Sequence, residues 1–136
     1  MTTEEWLKRV KKADDYVENL KYMRIIALNS LCGGFNDTGN ERVQTSRENS
    51  TEAQMVAYAA YADMINRAID NFVDIRQEVI SAINRVERDE YRELLMLRYL
   101  GYKTWEYIAN KLNAKSDTLR KYTKYQALKA VAPYCK

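Results

Sequence analysis

The chain has 136 residues, enough for one domain, or for one small domain with an elongated element, and too few for two full-sized domains. Twenty-two Lys and Arg stand against 19 Asp and Glu, a net charge of only +3, so the chain as a whole is neither a polybasic tail nor an acidic solvating segment. There is no His, which excludes imidazole catalysis, His-dependent nucleophile systems and His-bearing zinc sites.

The charge is unevenly placed. Residues 1–30 carry +1, 31–50 carry −1, 51–87 carry −3, 88–100 carry 0, and 101–136 carry +6. No stretch approaches 18 consecutive apolar residues, and the start MTTEEWLKRVKKADD has no apolar signal region, so no membrane association is expected and the chain is placed in the cytoplasm, as a soluble protein. Cys32 and Cys135 are too few for a cysteine metal site and, in a reducing compartment, read as bystanders. Four Gly and one Pro leave few punctuators, which predicts long helices and an all-α fold.

Thr2 and Glu5 have capping-box spacing. Behind them Trp6, Val10, Ala13, Val17, Leu20, Ala27 and Leu31 recur at three- and four-residue intervals, which predicts an amphipathic helix of about 28 residues. Residues 32–50 hold three of the four glycines and many small polar residues, and read as a long, mobile loop with no phosphate-loop motif. Asn49 and Glu52 suggest a second capped start. From there Met55, Ala62, Ile69, Arg76 and Ile83 form an a series and Tyr58, Ile65, Phe72, Val79 and Val86 a d series. Nine of these ten are apolar, the pattern of a coiled-coil-type helix of about 36 residues, with Arg76 as a polar residue in the seam. The expected architecture over 1–87 is a long antiparallel helical hairpin, whose unmatched length would suit a homodimer.

Near residue 87 the heptads end, and 88–136 reads as a small trihelical unit. DEYRELLMLRYL ends at Gly101, which suits the residue just past a helix C-terminus; Thr104 caps WEYIANKLN; and Ser116 caps DTLRKYTKYQALKAV, stopped by Pro133. Ile108, Ala109 and Leu112 then face inward on the middle helix, Asn113 takes a left-handed turn position, and Leu119 and Tyr122 face inward on the last. This is the form of a helix-turn-helix. Outward on the last helix lie Ser116, Asp117, Thr118, Arg120, Lys121, Thr123 and Lys124, hydrogen-bonding groups followed by cations, as a helix entering the major groove requires. Lys103, Lys111 and Lys115 complete a phosphate-contacting set. Trp105, Tyr99, Tyr102 and Tyr107 are expected in the core of the unit rather than stacked on bases. Asp14-Asp15 and Asp89-Glu90 are helix neighbours that point apart, so no carboxylate pair, catalytic residue, metal site or cofactor is expected, and the chain is not read as an enzyme.

RDEYRELLMLRYLGYKTWEYIANKL resembles the region-four helix-turn-helix of bacterial sigma factors, with its R-x-x-L-x-L-R-Y helix and its G-x-S-W-x-E-I-A-x-x-L run. Over nearly its whole length, ERVQTS and the heptad helix included, the chain is similar to small phage and prophage proteins near the ArpU and RinA regulators of late transcription. The resemblance implies a DNA-binding transcription regulator acting in a bacterial host cell on double-stranded DNA, with RNA polymerase as a further partner. It assigns DNA reading to residues 116–130 and a packing role to Trp105. In the family pattern an Ala-Leu pair follows the first inward residue of the reading helix by about seven positions, whereas Ala127-Leu128 come about one residue late, out of phase with Leu119 and Tyr122. Two other classes fit the same residues: a small-terminase-like packaging or assembly protein, and a protein-interaction module docking on polymerase.

Overall fold

The computed structural model describes the backbone of residues 1–32 and 44–136, and the side chains of residues 1–30 and 52–136. Among the described residues all regular structure is helical, as the scarcity of Gly and Pro predicts. Helix α1 spans Thr3–Cys32 and α2 spans Gln44–Asn84. Then come α3, Asp89–Leu95, which runs on into a π-helical turn, Met96–Leu100; α4, Trp105–Leu112; α5, Ser116–Thr118, continued by a second π-helical turn, Leu119–Thr123; α6, Lys124–Val131; and a closing 3-10 turn, Ala132–Tyr134. No helix among the described residues is long and apolar enough to cross a membrane.

The capping box at the start of α1 forms as its spacing requires. The Thr2 amide donates to Glu5 Oε2 at 2.8 Å, and the Glu5 amide donates to Thr2 Oγ1 at 3.2 Å, so two orphan donors satisfy each other's side chains. The second start differs. α2 begins at Gln44, so Asn49 lies inside the helix and not at its cap, and of the expected 32–50 loop only 33–43 falls outside the described residues.

The chain packs as two compact units. One comprises Met1–Asp14 with Asn71–Lys136, the other Asp15–Asp70. A boundary at residue 87 separates the heptad helix from the short C-terminal helices, but packing cuts elsewhere, because the first turns of α1 and the last turns of α2 carry side chains into the core of the C-terminal helices. Trp6, Leu7 and Val10, then Val79, Ala82, Ile83 and Val86, join Leu94, Leu95, Tyr99, Ile108, Leu119, Ala127 and Val131 in one apolar cluster. Arg9 Nη2 donates to Glu78 Oε2 at 2.9 Å beside it. The turn between α2 and α3 is tied down by Arg92, whose Nη1 donates to the Val86 carbonyl at 2.6 Å and the Glu87 carbonyl at 3.0 Å, pairing two acceptors that lie outside either helix.

In the second unit Val17 and Leu20 of α1 and Ile65 and Ala68 of α2 are buried. Tyr22, Met23, Ile25, Ile26 and Leu28 of α1 and Met55 and Val56 of α2 are exposed.

The buried row of α2 follows the expected d series and keeps part of the a series, with Ile83 buried and Ile69 half-buried while Met55, Ala62 and Arg76 are exposed. Ile65, Ala68, Val79, Ala82 and Val86 are buried, and Phe72 and Ile75 are half-buried in the same alternation of three and four. Beside Ile65, Phe72, Val79 and Val86 the covered face also takes in Ala68, Ile75 and Ala82, one position before Ile69, Arg76 and Ile83. Ile83 is buried as well, in the last turn of α2, where the C-terminal helices also surround the chain. That face leaves Arg76 exposed and removes the need for a buried charge. Small Ala side chains in the seam also let a neighbouring helix approach closely.

Leu7 is fully buried in the shared cluster, so Leu7→Ala is expected to cost about 2–5 kcal/mol through lost burial and the cavity left behind. Met23→Ala, at an exposed site, should stay within about 0.5 kcal/mol. Urea denaturation of the whole chain, followed by circular dichroism, measures both; equal small effects would contradict the shared core.

Candidate nucleic-acid interface

The turn between α3 and α4 positions the first set of basic residues. Its glycine works by closeness. Gly101 has φ −95°, and a Cβ placed on it would stand 3.1 Å from the Leu97 carbonyl oxygen. The left-handed position is taken by the next residue, Tyr102, at φ 57°. The Lys103 amide then donates to the Leu97 carbonyl at 3.0 Å, and Arg98 Nη1 donates to the Lys103 carbonyl at 2.9 Å. Arg98 also lies over Trp105, 4.6 Å from the ring centroid, which fixes the start of α4.

α4 begins and ends as its residues predict. Thr104 Oγ1 accepts from the Tyr107 amide at 3.2 Å, and Asn113, at φ 55° and ψ 46°, closes the helix in the left-handed region that Asn tolerates. The Ala114 amide donates back to the Ala109 carbonyl at 2.9 Å. Lys115 is the extended residue before the next helix, and Ser116 is its first helical residue, with no side-chain cap bond; the capping role expected of Ser116 belongs by position to Lys115. Ile108, Ala109 and Leu119 are buried and Leu112 is half-buried, as expected of inward positions.

The last helix departs from an ideal α-helical phase. At the π-helical turn the Lys124 amide donates to the Leu119 carbonyl five residues back, so the backbone takes an extra residue per turn there. Thr123 occupies the inward position expected of Tyr122. Thr123 is 8% exposed, while Tyr122 is 65% exposed. Ala127, Leu128 and Val131 continue the inward row, and α6 packs on α3, where Tyr91 Oη donates to Gln126 Oε1 at 3.0 Å. The one-residue lateness of Ala127-Leu128 is thus absorbed by the π turn without a break in the helix.

Of the ten predicted contact residues, the structure presents seven outward and three otherwise. Asp117, Thr118, Arg120 and Lys121 are exposed on the last helix, and Lys103, Lys111 and Lys115 are exposed around it; Ser116 is half-buried. Thr123 is core. Lys124 is turned inward, its side chain 17% exposed, with Nζ 3.3 Å from Glu4 Oε1. Arg120 Nη2 lies 2.8 Å from Asp117 Oδ1, an exposed pair of the kind whose net worth is about 0–1 kcal/mol, easily exchanged for another anion.

Two tyrosines stand outward on the last helix, Tyr122 against its expected inward position and Tyr125 with no expected role. They lie beside Arg120 and Lys121, Tyr125 at 60% exposure. Their signal was the inward Ala127-Leu128 pair, which sets the phase backwards along the helix. Tyr102 and Tyr107 are also exposed rather than core: Lys11 Nζ sits 5.0 Å over the Tyr102 ring and Lys103 Nζ 4.8 Å over the Tyr107 ring. Only Tyr99 of this group is buried, and Trp105 is half-buried against the core.

Glu4 links α1 to the last helix. Burial opposes its charge, but Lys124 and Lys8 outweigh burial, with Lys8 Nζ also 3.3 Å from Oε1, and the carboxyl is held below its ordinary value. Tyr99 Oη is buried near Glu4; burial first, then the Glu4 carboxylate, raises the phenol well above its ordinary range, so it stays protonated.

A carboxyl lowered by folding adds stability at neutral pH that disappears as pH falls through its own pKa. Glu4→Gln should therefore lower the melting temperature at pH 7, and the difference should shrink as pH falls through the lowered carboxyl range and the native side chain takes up its proton; thermal melts across an acid pH series decide. In comparisons with known proteins, no family model, no curated protein and no solved structure matches the chain.

Proposed function

We propose that this protein binds double-stranded DNA through the last helix and regulates transcription, as a phage-type regulator with a sigma-like helix-turn-helix. The observation that carries the reading is the collection of exposed cations on and around one short helix that follows a three-residue turn: Arg120 and Lys121 on it, Lys103, Lys111 and Lys115 beside it. Phosphate contacts of that kind set orientation, and the exposed Asp117, Thr118 and Arg120 near the helix N-terminus supply base-edge donors and acceptors. Arg120 exchanges Asp117 for a guanine edge or a phosphate, and the freed Asp117 accepts from a cytosine amino group. The two exposed tyrosines extend the face: their rings lie against sugar and base, and their hydroxyls donate to phosphates.

Five cations give one such module modest affinity, so the regulator acts as a homodimer or beside RNA polymerase, where a second contact multiplies the first. Support for a second copy comes from the exposed Tyr22, Met23, Ile25 and Ile26 of α1, apolar side chains in excess of what an isolated helix needs.

Selection of bound sequences from random duplex DNA by the purified protein, with and without host polymerase, should enrich a motif. Binding should weaken with salt at a slope of about −4 to −5, from about −0.9 per phosphate and about five phosphates. Arg120→Ala with Lys121→Ala should abolish specific binding at unchanged helicity, whereas Thr123→Ala should alter stability far more than specificity. Unchanged DNA affinity in the double variant removes the proposal, and ring-sized oligomers in a mass measurement would redirect it to packaging.

A further inference from the structure

The outward face of the last helix carries two aromatic rings beyond what a duplex groove requires. Tyr122 and Tyr125 stand at i and i+3, so their side chains are neighbours on one side of the helix, and both are more than half exposed. Lys121 precedes the pair and Lys129 follows it; both are exposed, and eight residues of helix put them about 12 Å apart along the axis. From Arg120 to Lys136 the chain contains no Asp or Glu, and Asp117, one turn earlier, is engaged by Arg120 at 2.8 Å.

Packing does not account for the two rings. Thr123, Ala127, Leu128 and Val131 fill the inward row, and the π-helical turn puts Tyr122 outside in place of Thr123. Lys124 Nζ lies 5.2 Å from the centroid of the Tyr125 ring, a contact with one face of a side chain that is still 60% exposed. Lys124 is itself anchored by Glu4 at 3.3 Å, so this ring is held ready for a flat partner on its open side.

Base pairing decides what such rings can touch. In a duplex the faces of the bases are stacked on one another, and only their edges line the grooves. Unpaired bases expose their faces, and every base has one, so aromatic rings set among cations take a single strand with little regard to its sequence. We infer that Lys121, Tyr122, Tyr125 and Lys129 form a platform for single-stranded nucleic acid, with an unpaired base stacked on each ring and the lysines on the adjoining phosphates. The inference rests on the nucleic-acid reading of the last helix but not on its recognition of a duplex. The strand comes from DNA or from RNA, whose bases present the same faces.

Fluorescence anisotropy of a labelled thymidine oligomer of about 15 nucleotides, titrated with the full chain at low salt, tests this. An abasic oligomer of the same length and charge should bind more weakly by about tenfold or more, because it lacks the stacking partners. Tyr122→Leu with Tyr125→Leu keeps apolar bulk without a ring and should weaken binding of the thymidine oligomer by about tenfold or more, whereas Tyr122→Phe with Tyr125→Phe should keep it within about threefold. Both pairs lie at exposed positions, and unchanged thermal melting would verify their fold. On a random-sequence duplex the Phe pair should bind more weakly than the unaltered protein, since there the hydroxyls reach the phosphates; one variant thus separates the two modes. A uridine oligomer identifies the source: tighter binding than the thymidine oligomer assigns the strand to RNA, weaker binding to DNA. Equal binding of the thymidine and abasic oligomers, unchanged binding in the Leu pair, or a loss in the Phe pair as large as in the Leu pair overturns the inference. Duplex binding without binding of the thymidine oligomer removes the platform and leaves the duplex reading standing; oligomer binding without duplex binding does the reverse.

Discussion

Four residues separate Leu119 from Thr123, Thr123 from Ala127, and Ala127 from Val131, and all four are buried. At 3.6 residues per turn such a row would drift by about 40° at each step and leave the core within the length of the helix. The π-helical turn Leu119–Thr123 removes much of that drift by widening the turn where it begins. The whole outward face depends on this, because the same backbone that keeps Thr123 inside brings Tyr122 and Tyr125 out beside Arg120 and Lys121 and swings Lys124 back to Glu4.

The second constraint is that the C-terminal helices do not enclose a core by themselves. α3, α4 and α6 are seven or eight residues long, and stretches so short form helices in water only when tertiary packing holds them. Trp6, Leu7 and Val10 from α1, Val79, Ala82 and Ile83 from α2 and Val86 from the turn after it supply the missing apolar surface. The ends of the long helices therefore serve as part of the platform from which the basic residues project. This also explains why α1 brings its lysines to the same unit: Leu7 and Val10 are buried, so Lys8, Lys11 and Lys12 are carried on adjacent positions of the same turns.

The charges divide by what surrounds them. Lys124 and Lys8 share Glu4 at the edge of the core, where partial burial makes pairing worthwhile. Arg98 is held by the face of Trp105 and a backbone carbonyl. Lys103, Lys111, Lys115 and Lys121 remain out in solvent, where a polyanion can reach them. The aromatic residues follow the same logic, with Tyr99 in the core and Tyr102 and Tyr107 lying under lysine side chains.

Local chemistry in the sequence was enough for the all-α class, the Thr2–Glu5 capping box, the Thr104 cap, the left-handed Asn113, the d series of α2 and the inward Ile108, Ala109 and Leu119. The caps and inward positions are fixed by residues within about one turn of each other, the d series by its seven-residue recurrence and the class by composition, so the sequence alone reveals them. Three things needed the folded chain. The width of the covered face of α2 was one, since Ile69, Arg76 and Ile83 and Ala68, Ile75 and Ala82 alternate equally well with the d series, and only packing put Ala68, Ile75 and Ala82 inside and Arg76 outside. The unit boundary was another, since periodicity records which face is apolar and not what covers it. The phase of the last helix was the third: an inserted π turn leaves no mark in composition, and it was the burial of Thr123 with Ala127, Leu128 and Val131 against α3 that decided which side chains face outward.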